Sequence, residues 1–270
     1  MRGSVDGSGA GPTRLPTRPL VGFFLLTYAI SWATWAIPVV PTLCPMIAAL
    51  VVVWVTVGRA GLRDLASRLG QWRVGLRWWL VAVSPGLFLL LIVAGLRVAG
   101  QALPTAAEFA RFAGAPLPSV ALFVVITLAS SVGEEVGWRG YALPQLQRRF
   151  NPLSATLILA PLWWLWHLQF FVTESTLGPG YVAYLVEVTS VAIILTWLYN
   201  RSGGSILLVA VWHATYNFAS VTPAVTAVLV ALIVIQGVLL AILELVARRR
   251  GASVMTGDRP GYDAAARVVV

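Results

Sequence analysis

Eight runs of apolar residues, at 20–40, 43–57, 78–99, 119–133 and beyond, 153–172, 181–199, 205–221 and 224–247, constrain this chain more than any other feature. Most approach the ~20 residues that a helix needs to cross ~30 Å of hydrocarbon. The second is short at ~1.5 Å per residue, and Arg59 can extend it by snorkelling to the headgroups. Inside lipid the backbone must satisfy its own hydrogen bonds, which leaves helices or closed barrels, and continuous apolar runs of this length mean helices. Composition agrees: 59% of residues are hydrophobic and 11% charged, against about 25% charged in a soluble domain. The sequence therefore predicts an all-α, polytopic transmembrane helical bundle of about eight spans, embedded in a lipid bilayer.

All nineteen basic residues are arginine, and the net charge is +9. Such an excess suggests nucleic acid or anionic lipid until the arginines are placed. Threading the chain back and forth puts seventeen of them on one side. Arg2, Arg14 and Arg18 precede the first run, and Arg59, Arg63, Arg68, Arg73 and Arg77 follow the second. Arg139, Arg148, Arg149 and Arg201 lie in later connections, and Arg248, Arg249, Arg250, Arg259 and Arg267 follow the last run. Only Arg97 and Arg111 fall on the other side. The positive-inside rule then expects both termini in the cytoplasm and an even span count. The basic excess orients the chain and implies no nucleic-acid partner.

Residues 1–19 read as a disordered cytoplasmic lead without the apolar core and cleavage site of a removable signal peptide. Residues 20–247 form the expected bundle, and 248–270 a disordered basic cytoplasmic tail. Between the second and third runs, residues 60–77 set Leu62, Leu65, Leu69 and Trp72 among arginines. That pattern suits an interfacial amphipathic stretch and equally a cytoplasmic loop with some helix. An arginine-only basic set with abundant Ala, Val, Leu and Gly suggests a GC-rich bacterial genome, hence a bacterial cytoplasmic membrane. The single cysteine, Cys44, excludes an internal disulfide and a thiol-rich metal site.

Ionisable groups inside spans are costly and mark function by default. Glu134 and Glu135 end the fourth run, Glu187 lies in the sixth, and the only two histidines, His167 and His213, lie in the fifth and seventh. Glu135 and Arg139 stand at i and i+4 with the acid N-terminal, the favourable order for a helical ion pair. That pairing leaves Glu134 free to accept a proton as a general base. His213 and Asn217 are also i and i+4, so one helix face presents an imidazole and a carboxamide able to donate to a developing oxyanion. His167 can orient a water against Glu134. Alternatively His167, His213 and Glu134 can hold a divalent metal such as zinc, since two histidines and an acid form a catalytic set. Each residue also has a plain structural role open to it: interhelical hydrogen bonding for the histidines, an interfacial charge cluster for the glutamates, and packing around a polar cavity for Trp163, Trp164 and Trp166. Glu187 suits a structural pairing with a histidine or tyrosine.

Glu-Glu-x-x-x-Arg at Glu134, Glu135 and Arg139, aromatic-x-x-x-His at Trp163 and His167, and His-x-x-x-Asn at His213 and Asn217 follow one another on successive helices. This order resembles the CAAX protease and bacteriocin-processing (CPBP, or ABI) family of intramembrane proteases, which includes the type II CAAX prenyl endopeptidases. Trp163 stands where that family usually has Phe. The resemblance covers about residues 119–220. It implies an intramembrane endopeptidase acting on a membrane-associated peptide or protein. Carried over by motif position, Glu134 and His167 activate water, His213 and Asn217 stabilise the oxyanion, and Glu135, Arg139 and Trp163 support them. Both metal-dependent and metal-free glutamate mechanisms are argued for the family.

Other readings lack their signatures. There is no His-Glu-x-x-His, no intramembrane aspartate pair, and no Gly-x-Ser-x-Gly elbow around Ser205. A transporter would show repeat symmetry with broken spans in matching halves. A non-catalytic bacteriocin self-immunity or chaperone-like protein of the same fold is the main alternative. A bacterial source favours a native peptide or bacteriocin precursor over a prenylated substrate. Depth sets one demand. His213 lies ~12 Å from the cytoplasmic end of its run and His167 ~21 Å. The fifth span must therefore start late, with residues 151–157 at the interface, or tilt, or kink at Pro161.

Overall fold

The computed structural model describes residues 18–37, 39–112, 115–173, 178–220 and 222–257. About 80% of the described residues are helical, as the apolar runs require. In chain order the helices are α1 (Arg18–Ala33), α2 (Val40–Val57), α3 (Arg59–Leu69), α4 (Leu76–Ala82), α5 (Ser84–Val98), α6 (Ala106–Phe109) and α7 (Val120–Gly137). A π turn (Trp138–Ala142) leads into α8 (Leu143–Gln147), then α9 (Pro152–Trp166), α10 (Leu168–Thr173), α11 (Pro179–Arg201), α12 (Ile206–Ala219) and α13 (Pro223–Arg249). Among the described residues the one strand ladder is two residues long, β1 (Arg111–Phe112) antiparallel to β2 (Ala115–Pro116).

All eight apolar runs are helical, but not all are long. Five helical stretches have the length and composition to cross a bilayer, namely α2, α7 continued to Gln147, α9 continued to Val172, α11 and α13. The α4–α5 pair, bent by 55°, makes a sixth. Helices α1 (16 residues) and α12 (14 residues) are too short to count. The expectation of about eight spans therefore shrinks to five or six by this measure. The α4–α5 bend has a local cause. Pro85 in the first turn of α5 has no N–H to carry the ladder across Val83. The Thr215 hydroxyl from α12 donates to the Ala82 carbonyl beside the break, at 2.9 Å, the kind of side-chain repair that lets a broken helix survive in lipid.

Helix α7 is packed between α2 and α12, and α11 between α9 and α13. Close approach of α7 to α2 rests on two glycines one turn apart. A Cβ on Gly133 would stand 2.6 Å from the Thr42 carbonyl oxygen, and one on Gly137 2.5 Å from Pro45 Cβ and 2.7 Å from its backbone carbonyl. Small residues four apart are how helices meet backbone to backbone in a membrane. Helix α1 closes the other flank: Tyr28 donates to the Leu162 carbonyl at 2.6 Å, and the Trp166 indole N–H donates to Ser31 at 2.8 Å. The outward side of α13 exposes Ile235, Val238, Leu239, Ile242 and Leu243, an apolar surface that suits lipid.

Helix α3 occupies the first half of the 60–77 stretch, with Leu65 buried and Arg63 and Ser67 turned outward, and α4 begins at Leu76. Arg68 reaches from α3 to donate to the Gly140 carbonyl of the π turn at 2.8 Å and to the Tyr199 hydroxyl at 2.7 Å. The tail expected from residue 248 is ordered as far as 257. Buried Glu244 accepts the main-chain N–H groups of Val254 and Met255 at 2.8 and 3.0 Å, and Met255 is fully buried against Leu153 and Ile193. Residues 1–17 and 258–270, on which the disorder expectations also fall, lie outside the described residues.

Candidate active site

Neighbouring residues on a helix point ~100° apart, so Glu134 and Glu135 at the end of α7 serve different partners. Glu135 turns towards the continuing chain and α12. Its Oε1 accepts from Arg139 Nη1 at 2.8 Å and from His213 Nδ1 at 2.9 Å, and Glu135 and Arg139 are fully buried. The ion pair read from the i, i+4 spacing is therefore present, with His213 as a third member. Glu134 faces α9, where its Oε2 accepts the Trp163 indole N–H at 2.9 Å.

Trp163 is the hub. The Arg139 guanidinium lies 4.3 Å above its ring, a cation–π contact. The rings of His167 and His213 each lie 5.5 Å from it. Its carbonyl stands 2.8 Å from His167 Nδ1. A carbonyl can only accept, so Nδ1 carries the proton, and Nε2 of the neutral ring is left with its lone pair. His213 Nδ1 faces a carboxylate and likewise carries a proton. Asn217, one turn beyond His213, is half-buried and its side chain finds no hydrogen-bond partner among the described residues. Within the cluster, Glu135 Oε2 and Arg139 Nε and Nη2 are buried with none either.

The structure thus brings Glu134, Glu135, Arg139, Trp163, His167 and His213 into one cluster, with Asn217 on the His213 helix. The helix of the fifth run begins at Pro152, directly after its cap Asn151, which accepts the Ser154 N–H at 2.9 Å. The histidines meet all the same, because both pack on Trp163. Ser205 is the cap of α12, accepting the Leu208 N–H and donating to the Gln71 carbonyl, a structural post and no nucleophile. The metal reading does not assemble. Among the described residues no three side chains of His, Cys, Asp and Glu are grouped to hold a metal ion, the proposed His167, His213 and Glu134 included.

Two contributors escaped the sequence reading. The Gly133–Gly137 pair was visible as a small-x-x-x-small signature in an apolar helix. The π turn over Trp138–Ala142 had no sequence signal; such turns recur at functional sites, and this one carries Arg139.

Residues 116–219 match the family described as Type II CAAX prenyl endopeptidase Rce1-like. The likeness is to that family over this segment alone. The chain is also similar to CAAX prenyl protease 2 of the archaeon Methanococcus maripaludis, at 27% identity over 110 residues. The alignment covers 37% of this chain and spans 40% of the relative's length. The matched segment contains all three motifs and every residue of the cluster.

Proposed function

We propose that the protein is an intramembrane endopeptidase that hydrolyses a peptide bond of a membrane-associated peptide or protein. Glu134 and His167 activate the water, and His213 and Asn217 stabilise the oxyanion. The carrying observation is that Trp163 ties Glu134 to both histidines within a buried setting.

Glu134 keeps Oε1 for the water while Oε2 holds the indole, and His167 offers Nε2 as a second acceptor. Together they align the water and take its proton as its oxygen bonds to the scissile carbonyl carbon. The carbonyl oxygen becomes an oxyanion that the Asn217 carboxamide and His213 can stabilise by donating hydrogen bonds. Collapse breaks the C–N bond, and the proton held by Glu134 passes to the departing amine. No step calls on a metal, in keeping with the donor geometry.

The test is cleavage of a lipid-anchored fluorogenic peptide by the purified protein in nanodiscs. Glu134→Ala should abolish turnover and His213→Ala should reduce it at least ~100-fold, the scale of losing an oxyanion donor. Full turnover in both variants overturns the reading and leaves the non-catalytic alternative.

A further inference from the structure

Outside the cluster just described, the described carboxylates meet a cation or a cap. Asp64 pairs with Arg68 and Glu244 with Arg248, and Glu108 accepts from the main chain and hydroxyl of Thr105. Glu187 is the exception. It lies in the middle of α11, partly buried, and the Tyr216 hydroxyl donates to its Oε1 at 2.5 Å. Among the described residues Tyr216 is its sole hydrogen-bond partner, and no arginine or histidine pairs with it. An acid at membrane depth without a cation is costly, and such residues face cavities and pathways.

Its position supplies the direction. His167 packs its ring against Tyr184 at 5.3 Å, and Tyr184 lies one turn before Glu187 on α11. Glu187 meets Tyr216, which lies one turn after His213 on α12. His213 returns to Trp163 and so to His167. Contacts between helices and the one-turn spacings on α11 and α12 thus link both histidines to Glu187, with Glu134 on the opposite side of Trp163. Tyr216 orients one carboxylate oxygen and leaves Oε2 for a second donor. An amide N–H could fill that place but would leave the charge uncompensated.

We propose that Glu187, oriented by Tyr216, is a cation-accepting subsite that takes a cationic nitrogen of the bound peptide: the side chain of a Lys or Arg residue, or a free α-ammonium. This rests on the hydrolytic reading of the neighbouring cluster.

The experiment uses lipid-anchored peptides with Lys or norleucine at each residue flanking the scissile bond, each made with a free or acetylated N-terminus. The wild type should prefer Lys at one position, or the free terminus, by at least ~tenfold in kcat/KM, the scale of one desolvated ion pair. In Glu187→Gln that ratio should fall towards unity whatever the absolute rate. Dependence on Lys assigns the cation to a side chain, and dependence on the free terminus alone assigns it to the α-ammonium. A ratio unmoved by Glu187→Gln at every position and with both termini overturns the proposal. Should Glu187→Gln fail to fold, Glu187→Asp, which draws the carboxylate back by one methylene, should lower the ratio through KM, and no movement there is equally fatal. If the wild type cleaves none of the peptides, the hydrolytic reading has failed on its own. The Lys-to-norleucine affinity ratio, measured by equilibrium binding in nanodiscs, must then still fall in Glu187→Gln.

Discussion

Adding a single methyl group at Gly137 should separate the placement of the catalytic carboxylates from the stability of the bundle. Its Cβ would lie 2.5 Å from Pro45 Cβ and 2.7 Å from the Pro45 carbonyl carbon and oxygen, where ordinary carbon contacts need ~3.5–4.0 Å. The obstacle is largely backbone and cannot rotate away, so α7 and α2 must part by about 1 Å. Overpacking of this kind costs about 1–3 kcal/mol, and the helix propensity of Ala over Gly returns about 1 kcal/mol. The net loss should be about 0–2 kcal/mol, or at most roughly 8 °C in Tm. Activity should suffer more, because Glu134 and Glu135 lie between Gly133 and Gly137 and move with the helix. A 1 Å misplacement of a catalytic group costs about 100-fold. Thermal unfolding in detergent and peptide cleavage in nanodiscs read the two effects separately. Gly22→Ala on α1, where a Cβ meets nothing within 4 Å, is the control and should be neutral or slightly stabilising. If Gly137→Ala keeps cleavage within threefold of wild type, the α2–α7 contact does not position the carboxylates.

Three further outcomes follow from the same geometry. Arg139→Met strands buried Glu135 and should cost about 3–5 kcal/mol; adding Glu135→Met should recover much of that in thermal unfolding without restoring cleavage, because His213 stays unpartnered. Trp163→Phe keeps a ring beneath Arg139 but removes the N–H to Glu134, and kcat/KM should fall about tenfold, the kinetic equivalent of losing a ~1.5 kcal/mol hydrogen bond to a charged group. Cleavage should survive exhaustive dialysis against a chelator, with metal analysis of the dialysed protein as the check; loss on dialysis and recovery with zinc would refute the metal-free mechanism.

What the sequence made legible was what a helix makes local. Glu135 and Arg139 could be paired because four residues bring side chains onto one face, and the structure keeps that pair at 2.8 Å. The same argument placed Asn217 beside His213. Contacts that depend on packing between helices could not be read this way. His213 meets Glu135 across 78 residues, and the Trp163 indole meets Glu134 across 29. Trp163 could be assigned to an aromatic motif position, but nothing in a linear pattern shows that its N–H, its ring face and its carbonyl serve three different partners. Helix ends were likewise not legible. Apolar composition marks a helix reliably, yet it shows neither the break at Val83, where Pro85 begins α5, nor that α1 stops at Ala33 and α12 at Ala219.

The shared carboxylate of Glu135 carries the proposed chemistry one step further. Because Oε1 only accepts, His213 must present Nδ1–H to it, and a neutral imidazole in that state has no proton on Nε2. If His213 is to donate to the oxyanion beside Asn217, it must carry both protons. With Arg139 and a doubly protonated His213 set against Glu134 and Glu135, the four charges balance, which a buried cluster favours strongly over a net charge. As Glu134 accepts the water's proton and the oxyanion appears, the negative charge moves from one acid to the substrate, and cluster and substrate together stay neutral. On this account the buried Glu135–Arg139 pair does more than brace α7. It holds His213 Nδ1–H on Oε1 and so leaves Nε2 as the atom that must carry a proton if His213 is to donate to the oxyanion.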